Sequence, residues 1–224
     1  MTYCHCQATD EEFDQRTARR DLRRFERRGP DATTRRILAA VREFPLPSQP
    51  ILLDVGGGIG AIHHDLLEHG FARAIHVDAS SAYLAVAEAE TQRRGHAGRV
   101  EFRRADFPAV ASSLPMADVV TLDRVVCCDP DCARLLGAAA GRARRLVAFS
   151  FPRPRWVVRL VIAVFNLSNR LRGRAFQAHI HSPAKMAGVL ERAGLRRRRS
   201  AGNWFWAVEI FERPGSPAST ENHD

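Results

Sequence analysis

Lysine is nearly missing from this 224-residue chain: 33 of its 34 basic residues are arginine, and Lys185 is the exception. So lopsided a choice reflects the codon usage of a GC-rich genome rather than selection for phosphate contacts, so the formal net charge of +9 is weak ground for a nucleic-acid partner. An apolar run of bilayer length is also lacking. The longest, Trp156 to Leu167, is 12 residues and contains Arg159, against the roughly 20 that a span needs, which excludes a transmembrane helix there. The opening residues Met1-Thr-Tyr-Cys-His-Cys have no apolar stretch of the kind a secretion signal carries, which predicts a cytoplasmic, reducing location. The five cysteines, Cys4, Cys6, Cys127, Cys128 and Cys132, are odd in number and form no disulfide framework. Cys4-His5-Cys6 is spaced too tightly for the usual zinc-ligand pair and has no matching downstream pair, so no metal is expected. No internal repeat is present.

What the chain does have is 45% hydrophobic residues, enough for one domain of ordinary size with a sizeable core. Its organising stretch is Ile51-Leu-Leu-Asp-Val-Gly-Gly-Gly-Ile-Gly60, followed by Ala61-Ile-His-His-Asp-Leu-Leu67 at helical spacing. This predicts a strand, a tight turn and a helix. Glycines allow positive φ and close approach of backbone to a ligand, and the helix that follows offers unpaired N–H groups and a positive dipole end. Gly56-Gly57-Gly58-Ile59-Gly60-Ala61 satisfies the dinucleotide pattern G-x-G-x-x-G/A, with Asp78 at about the distance of a ribose contact. Asp54 tilts the balance, because a carboxylate there suits a cationic amine and would repel a pyrophosphate. Asp54, Gly56, Gly58 and Gly60 spell D-x-G-x-G-x-G, which resembles motif I of the class I S-adenosylmethionine (SAM)-dependent methyltransferases. In that superfamily the glycines, here with Gly57 among them, meet the methionine part of the cofactor and the acid helps orient it.

Apolar runs alternating with helical segments predict an α/β fold of the Rossmann-like kind: a seven-stranded, mostly parallel sheet with helices on both faces and an antiparallel last strand. The expected division is a helical extension over 1–47, a methyltransferase domain over 48–213 with a helical insertion at about 153–173, and a disordered polar tail over 214–224. In the extension, Thr9-Asp-Glu-Glu12 has capping-box spacing and opens a polar helix ended by Gly29-Pro30. A second helix runs from Ala32 to Phe44. Strands are read at 51–55, 74–77, 99–103, 117–123 and 144–151, with two more around an Ala201-Gly202-Asn203 turn.

The remaining cofactor residues fall at successive strand ends. Asp78, with Ala79 after it, closes the second strand, where a carboxylate can accept from a ribose diol; its other reading is a helix N-cap with Ser80 and Ser81. Asp106-Phe107 follows the third strand and resembles the superfamily's adenine-contact segment. Asp123 ends the fourth, in the position of the superfamily's motif IV. Arg124, Cys127 and Cys128 should face the same cleft. The Pro-Pro-aromatic signature of the enzymes that methylate nucleic-acid bases is missing after Asp123, which argues against that class.

The segment Trp156 to Leu167 is apolar nearly all round, so protein, a hydrophobic substrate or a membrane interface must cover it, unless it is an ordinary core helix. A Gly-rich motif I, Phe151-Pro152 at a strand end and a following apolar helical insertion resemble the layout of the magnesium-protoporphyrin O-methyltransferases over roughly residues 33 to 195. The resemblance implies a large, flat or greasy acceptor. His179 and His181 are weak candidates for a base, surface or capping roles being the other reading. The expected activity is SAM-dependent methylation of a hydrophobic small molecule, at oxygen, with S-adenosylhomocysteine as product. An RNA methyltransferase is the first alternative, and an NAD(P)-dependent oxidoreductase or nucleotide-binding module the second.

Overall fold

The computed structural model describes residues 5–214, with side chains from residue 7 onward. The readings made on Cys4-His5-Cys6 and on the tail beyond Pro214 lie outside the described side chains. Seven strands form one sheet in the order β3-β2-β1-β4-β5-β7-β6. They are β1 Ile51–Val55, β2 Arg73–Asp78, β3 Val100–Arg104, β4 Ala117–Leu122, β5 Ala143–Pro152, β6 Arg196–Gly202 and β7 Trp206–Glu212. The first five pair in parallel, and β7 runs antiparallel to both its neighbours. The last strand is thus the antiparallel one, inserted between β5 and β6, and β6 takes the edge. Its four consecutive arginines explain this, since a strand that cannot bury either face belongs where solvent reaches it.

Side-chain alternation along the strands divides the apolar residues between two cores. Leu52 faces a core shared with Ile37, Val41, Ile62, Leu66 and Leu146, where helices α3 (Ala32–Arg42) and α4 (Ala61–Glu68) pack. Leu53 faces the other, with Val120, Leu136, Val147, Phe149 and Leu190, beneath α7 (Cys132–Arg142) and α9 (Pro183–Arg192). Helix α5 (Ser81–Arg93) follows β2, and the four-residue α6 (Phe107–Val110) follows β3. Strand order reverses beside β1, which lies between β2 and β4. That is the switch point where an open parallel sheet leaves a crevice at its carboxyl ends.

The N-terminal region differs from the sequence expectation. Two helices, α1 (His5–Glu12) and α2 (Gln15–Arg28), occupy the stretch read as one, and Thr9 lies inside α1 instead of opening a helix. The start is set by Asp14, whose carboxylate accepts from the Thr17 N–H at 2.8 Å, and Gly29, at φ 70°, closes α2. The apolar segment after β5 is α8 (Trp156–Leu171). It is no core helix: only Val158 and Asn169 are buried on it.

Candidate active site

The cradle is built as the glycine spacing requires. Strand β1 delivers Asp54 to its carboxyl end, and the chain turns through Gly56 and Gly58, both at positive φ, into α4, whose N-cap is Gly60 at φ 85°. Gly57 has a further reason. A Cβ there would fall 2.7 Å from Asp54 Oδ2 and from the His76 ring, so the loop can lie on these groups only if that position is bare.

Asp54 is buried. Its Oδ1 accepts from the Thr121 hydroxyl at 2.7 Å, and its Oδ2 has no hydrogen-bond partner. Burial pushes its carboxyl up to about 6, against the pull of His76 and Thr121. An orphaned, buried carboxylate oxygen under a glycine loop is expensive without a ligand, and a cationic group above it would relieve the cost. Asp78, at the end of β2, is also buried. It accepts from Gly58 N at 3.0 Å and Ser80 N at 2.8 Å, which leaves acceptor capacity on both oxygens. Burial pushes Asp78 up to about 6 as well. The N-cap of α5 is therefore Ser80, whose hydroxyl accepts from the Tyr83 N–H, and Asp78 is left for the cleft.

These groups open onto a cavity of about 390 Å³. Asp54, Gly56, Gly57, Gly58, Asp78, Ala79, Asp106, Phe107 and Asp123 line it; Gly60 does not, and serves as the turn into α4. Asp106 pairs with Arg134 at 3.0 Å and stands at the N-cap position of α6, just before Phe107. Asp123 accepts from Thr34 at 2.6 Å, Thr33 at 3.4 Å and Ser150 at 2.6 Å, and so ties α3 to β4 and β5 at the floor of the cleft. Arg124, Cys127 and Cys128 line the cavity too. Arg124 is held at φ 63° by its N–H on Ser150 and its guanidinium on Asp31. The contact with the neighbouring Cys127 and then burial raise the Cys128 thiol, so it stays protonated at neutral pH.

His179 and His181 do not line the cavity. Their rings stack with centroids 6.0 Å apart, as an extended segment dictates, and His181 Nε2 makes a 2.9 Å hydrogen bond with the Asp129 carbonyl.

Several residues that line the cavity were not named from the sequence. The roof is α1, α2 and the link between them: Thr9, Phe13, Asp21, Arg24 and Phe25 line the cavity. Ser80 donates to the Phe13 carbonyl at 2.7 Å and Tyr83 donates to Asp21 at 2.6 Å, so the roof is fastened to the walls. Phe165 of α8 and Phe176 close the far side, edge to face at 6.3 Å. Beneath the loop, His63, His64, His76 and His96 form a chain through Nδ1 contacts of 3.1 Å between His63 and His76 and between His64 and His96. Asp54, His63 and His76 bring donor atoms within 4.8 Å of one another. The two rings engage each other and lie directly under Gly57, so these donor atoms pack beneath the loop.

Comparison with known proteins agrees with this geometry. Residues 52–145 match a family model described as a methyltransferase domain. Among solved structures, magnesium protoporphyrin IX methyltransferase from Synechocystis PCC 6803 with bound S-adenosylhomocysteine superposes with a TM-score of 0.72 at 18% identity, covering 94% of this chain and 100% of that one. An O-methyltransferase family protein from Burkholderia thailandensis gives 0.68 at 18%, covering 90% of this chain and 61% of that one. An S-adenosylmethionine-dependent methyltransferase from Mesorhizobium loti gives 0.63 at 16%, covering 81% and 98%. No curated protein matches the chain. Over residues 52–145, then, the chain is similar to methyltransferase domains, and it shares the fold of the methyltransferase structures named above.

Proposed function

We propose that this protein transfers the methyl group of SAM to a hydrophobic small-molecule acceptor, at oxygen. The observation that carries the cofactor half is the unpartnered Asp54 Oδ2 beneath a glycine cradle, with the open acceptor positions of Asp78 one strand away. Asp54 would take the cofactor's amino group with the Gly56 to Gly58 backbone, Asp78 and Ala79 the ribose, Asp106 and Phe107 the adenine. Bound there, SAM supplies an electrophilic methyl group on a sulfonium.

Displacement at that methyl disperses charge, so the protein's task is to align the acceptor and exclude water. Phe13, Phe165, Phe176, Val125 and Trp206 provide an apolar wall suited to a greasy acceptor. Neither His179 nor His181 reaches the cavity, the Cys128 thiol is held protonated, and both Asp123 oxygens already accept hydrogen bonds. This favours an acceptor that needs little base assistance, such as a carboxylate or an acidic hydroxyl. The RNA reading has less support: the arginines lining the cavity are Arg24 and Arg124, both paired with Asp31, and Arg197, Arg198 and Arg199 of β6 pair with Glu209, Glu212 and Glu43.

Calorimetric titration with S-adenosylhomocysteine and with NADH tests the cofactor, and transfer of radiolabelled methyl to panels of aromatic carboxylates, phenols and RNA tests the acceptor. Heat from NADH alone, or label on RNA alone, would overturn the reading.

A further inference from the structure

Every exposed large hydrophobic side chain among the described residues lies on α8, save Trp204. At 100° per residue, Trp156, Leu160, Val164, Leu167 and Leu171 share one face of that helix, with Val157 and Val161 beside them. Trp156 is 76% exposed, Val164 59% and Leu171 79%. The opposite face carries the buried Val158 and Asn169 and is fastened down: Asn166 exchanges two hydrogen bonds with Ala178, at 2.8 and 2.9 Å, and Asn169 reaches the Phe176 carbonyl at 3.3 Å. The helix is thus held rigidly with its greasy side outward, a continuous patch of the sort that marks an interaction surface.

Charge identifies the occupant. Between Phe151 and Glu191 the chain has six arginines, one lysine and no Asp or Glu. Arg159 and Arg170 flank the apolar face, Arg155 and Arg172 stand at its ends, and none of the four has an acidic partner among the described residues. Trp204 projects beside the start of α8, where Arg153 donates to the Asn203 carbonyl at 2.8 Å and its N–H to the Phe205 carbonyl at 2.7 Å. An apolar stripe rimmed by unpaired guanidinium groups, with a tryptophan at the first turn and a second beside it, is the pattern of a helix lying in the plane of a bilayer. No helix among the described residues is long and apolar enough to cross one.

We propose that α8 with Trp204 docks this protein on the surface of a bilayer rich in anionic lipids. The apolar face sits among the acyl chains and the arginines lie at the headgroups. Phe165, on the same helix, lines the cavity, so docking sets the cavity mouth at the membrane, where a lipophilic molecule would enter. The docking does not rest on the methyl-transfer reading, because membrane binding is measured without turnover. A second copy of the chain is less favoured as occupant, since two such faces would bring their unpaired arginines together.

Co-sedimentation of the full chain with phosphatidylcholine vesicles, with and without phosphatidylglycerol, tests it. Binding should be at least roughly tenfold stronger with the anionic lipid and should weaken with salt. The double variant Leu160→Glu with Val164→Glu, at exposed positions outside the cavity, should lower vesicle binding by more than about tenfold while the circular dichroism spectrum stays that of the parent. No binding to either vesicle, or binding that the double variant leaves intact, would overturn the proposal. So would a concentration-dependent dimer in sedimentation velocity that the same variant dissolves, which would make α8 a self-association face.

Discussion

Asp54 combines two conditions that oppose each other: a position where, on the proposed function, a cofactor amine would need a negative charge, and burial that pushes its carboxyl up to about 6. Free protein and ligand complex must therefore differ in protonation. Below pH 6 the free carboxyl takes a proton that must leave before it can face a cation, so the affinity for S-adenosylhomocysteine should fall as pH drops from 7 to 5 and level off above 6.5. Calorimetry across that range would show it, and Asp54→Asn should flatten much of the profile. At pH 7 the same variant should bind roughly 10- to 100-fold more weakly, the loss of one charged hydrogen bond in a buried place. Asp54, Asp78 and Asp123 stand out in the sequence because each follows an apolar run of a strand, and Asp106 because it comes just after the third strand. Thr121, Ser150 and Thr34 do not, since their roles depend on which strands and helices become neighbours, and nothing local to those residues encodes it.

Among the elements, the five parallel strands could be read to within a residue or two because four carry short apolar runs between turn residues and β3 alternates apolar with charged residues. The roof could not. Thr9 to Glu12 has the right spacing for a cap, yet Asp14 offers the following N–H groups a carboxylate in extended backbone geometry and so begins α2. Asp14→Ala should lower stability by about 1 kcal/mol, seen as a lower urea midpoint at unchanged m-value. Helix α8 also read ambiguously: an apolar stretch announces that something covers it, and only its tethering through Asn166 and Asn169 reveals which face stays bare.

At the scale of the molecule, the buried histidines couple stability to acid. Burial lowers His63 and His76 to about 3 and His64 to about 2, from 6.5. Between those values the unfolded chain binds more protons than the folded one, so stability falls as pH falls. Asp54 and Asp78 act in the other sense: raised to about 6 from 3.8, they let the folded state take up protons first between pH 6 and 4 and offset two of the three histidines. The two effects oppose each other, so stability should fall only gently as pH drops through that interval. Below pH 3.8 the acids no longer compensate and the slope should steepen severalfold. Chemical denaturation at a series of pH values would trace this break, and a uniform slope from pH 6 to 3 would show that the histidines are not buried neutral.

The account rests on acids at successive parallel strand ends holding one nucleoside cofactor, and Asp78 is the member with acceptor capacity left on both oxygens. Calorimetric titration of Asp78→Ala with S-adenosylhomocysteine is the most direct test. Affinity should drop at least about tenfold in a protein that keeps its fold; an unchanged dissociation constant would mean that the ribose is not held at the end of β2 and that the cleft has been assigned to the wrong ligand.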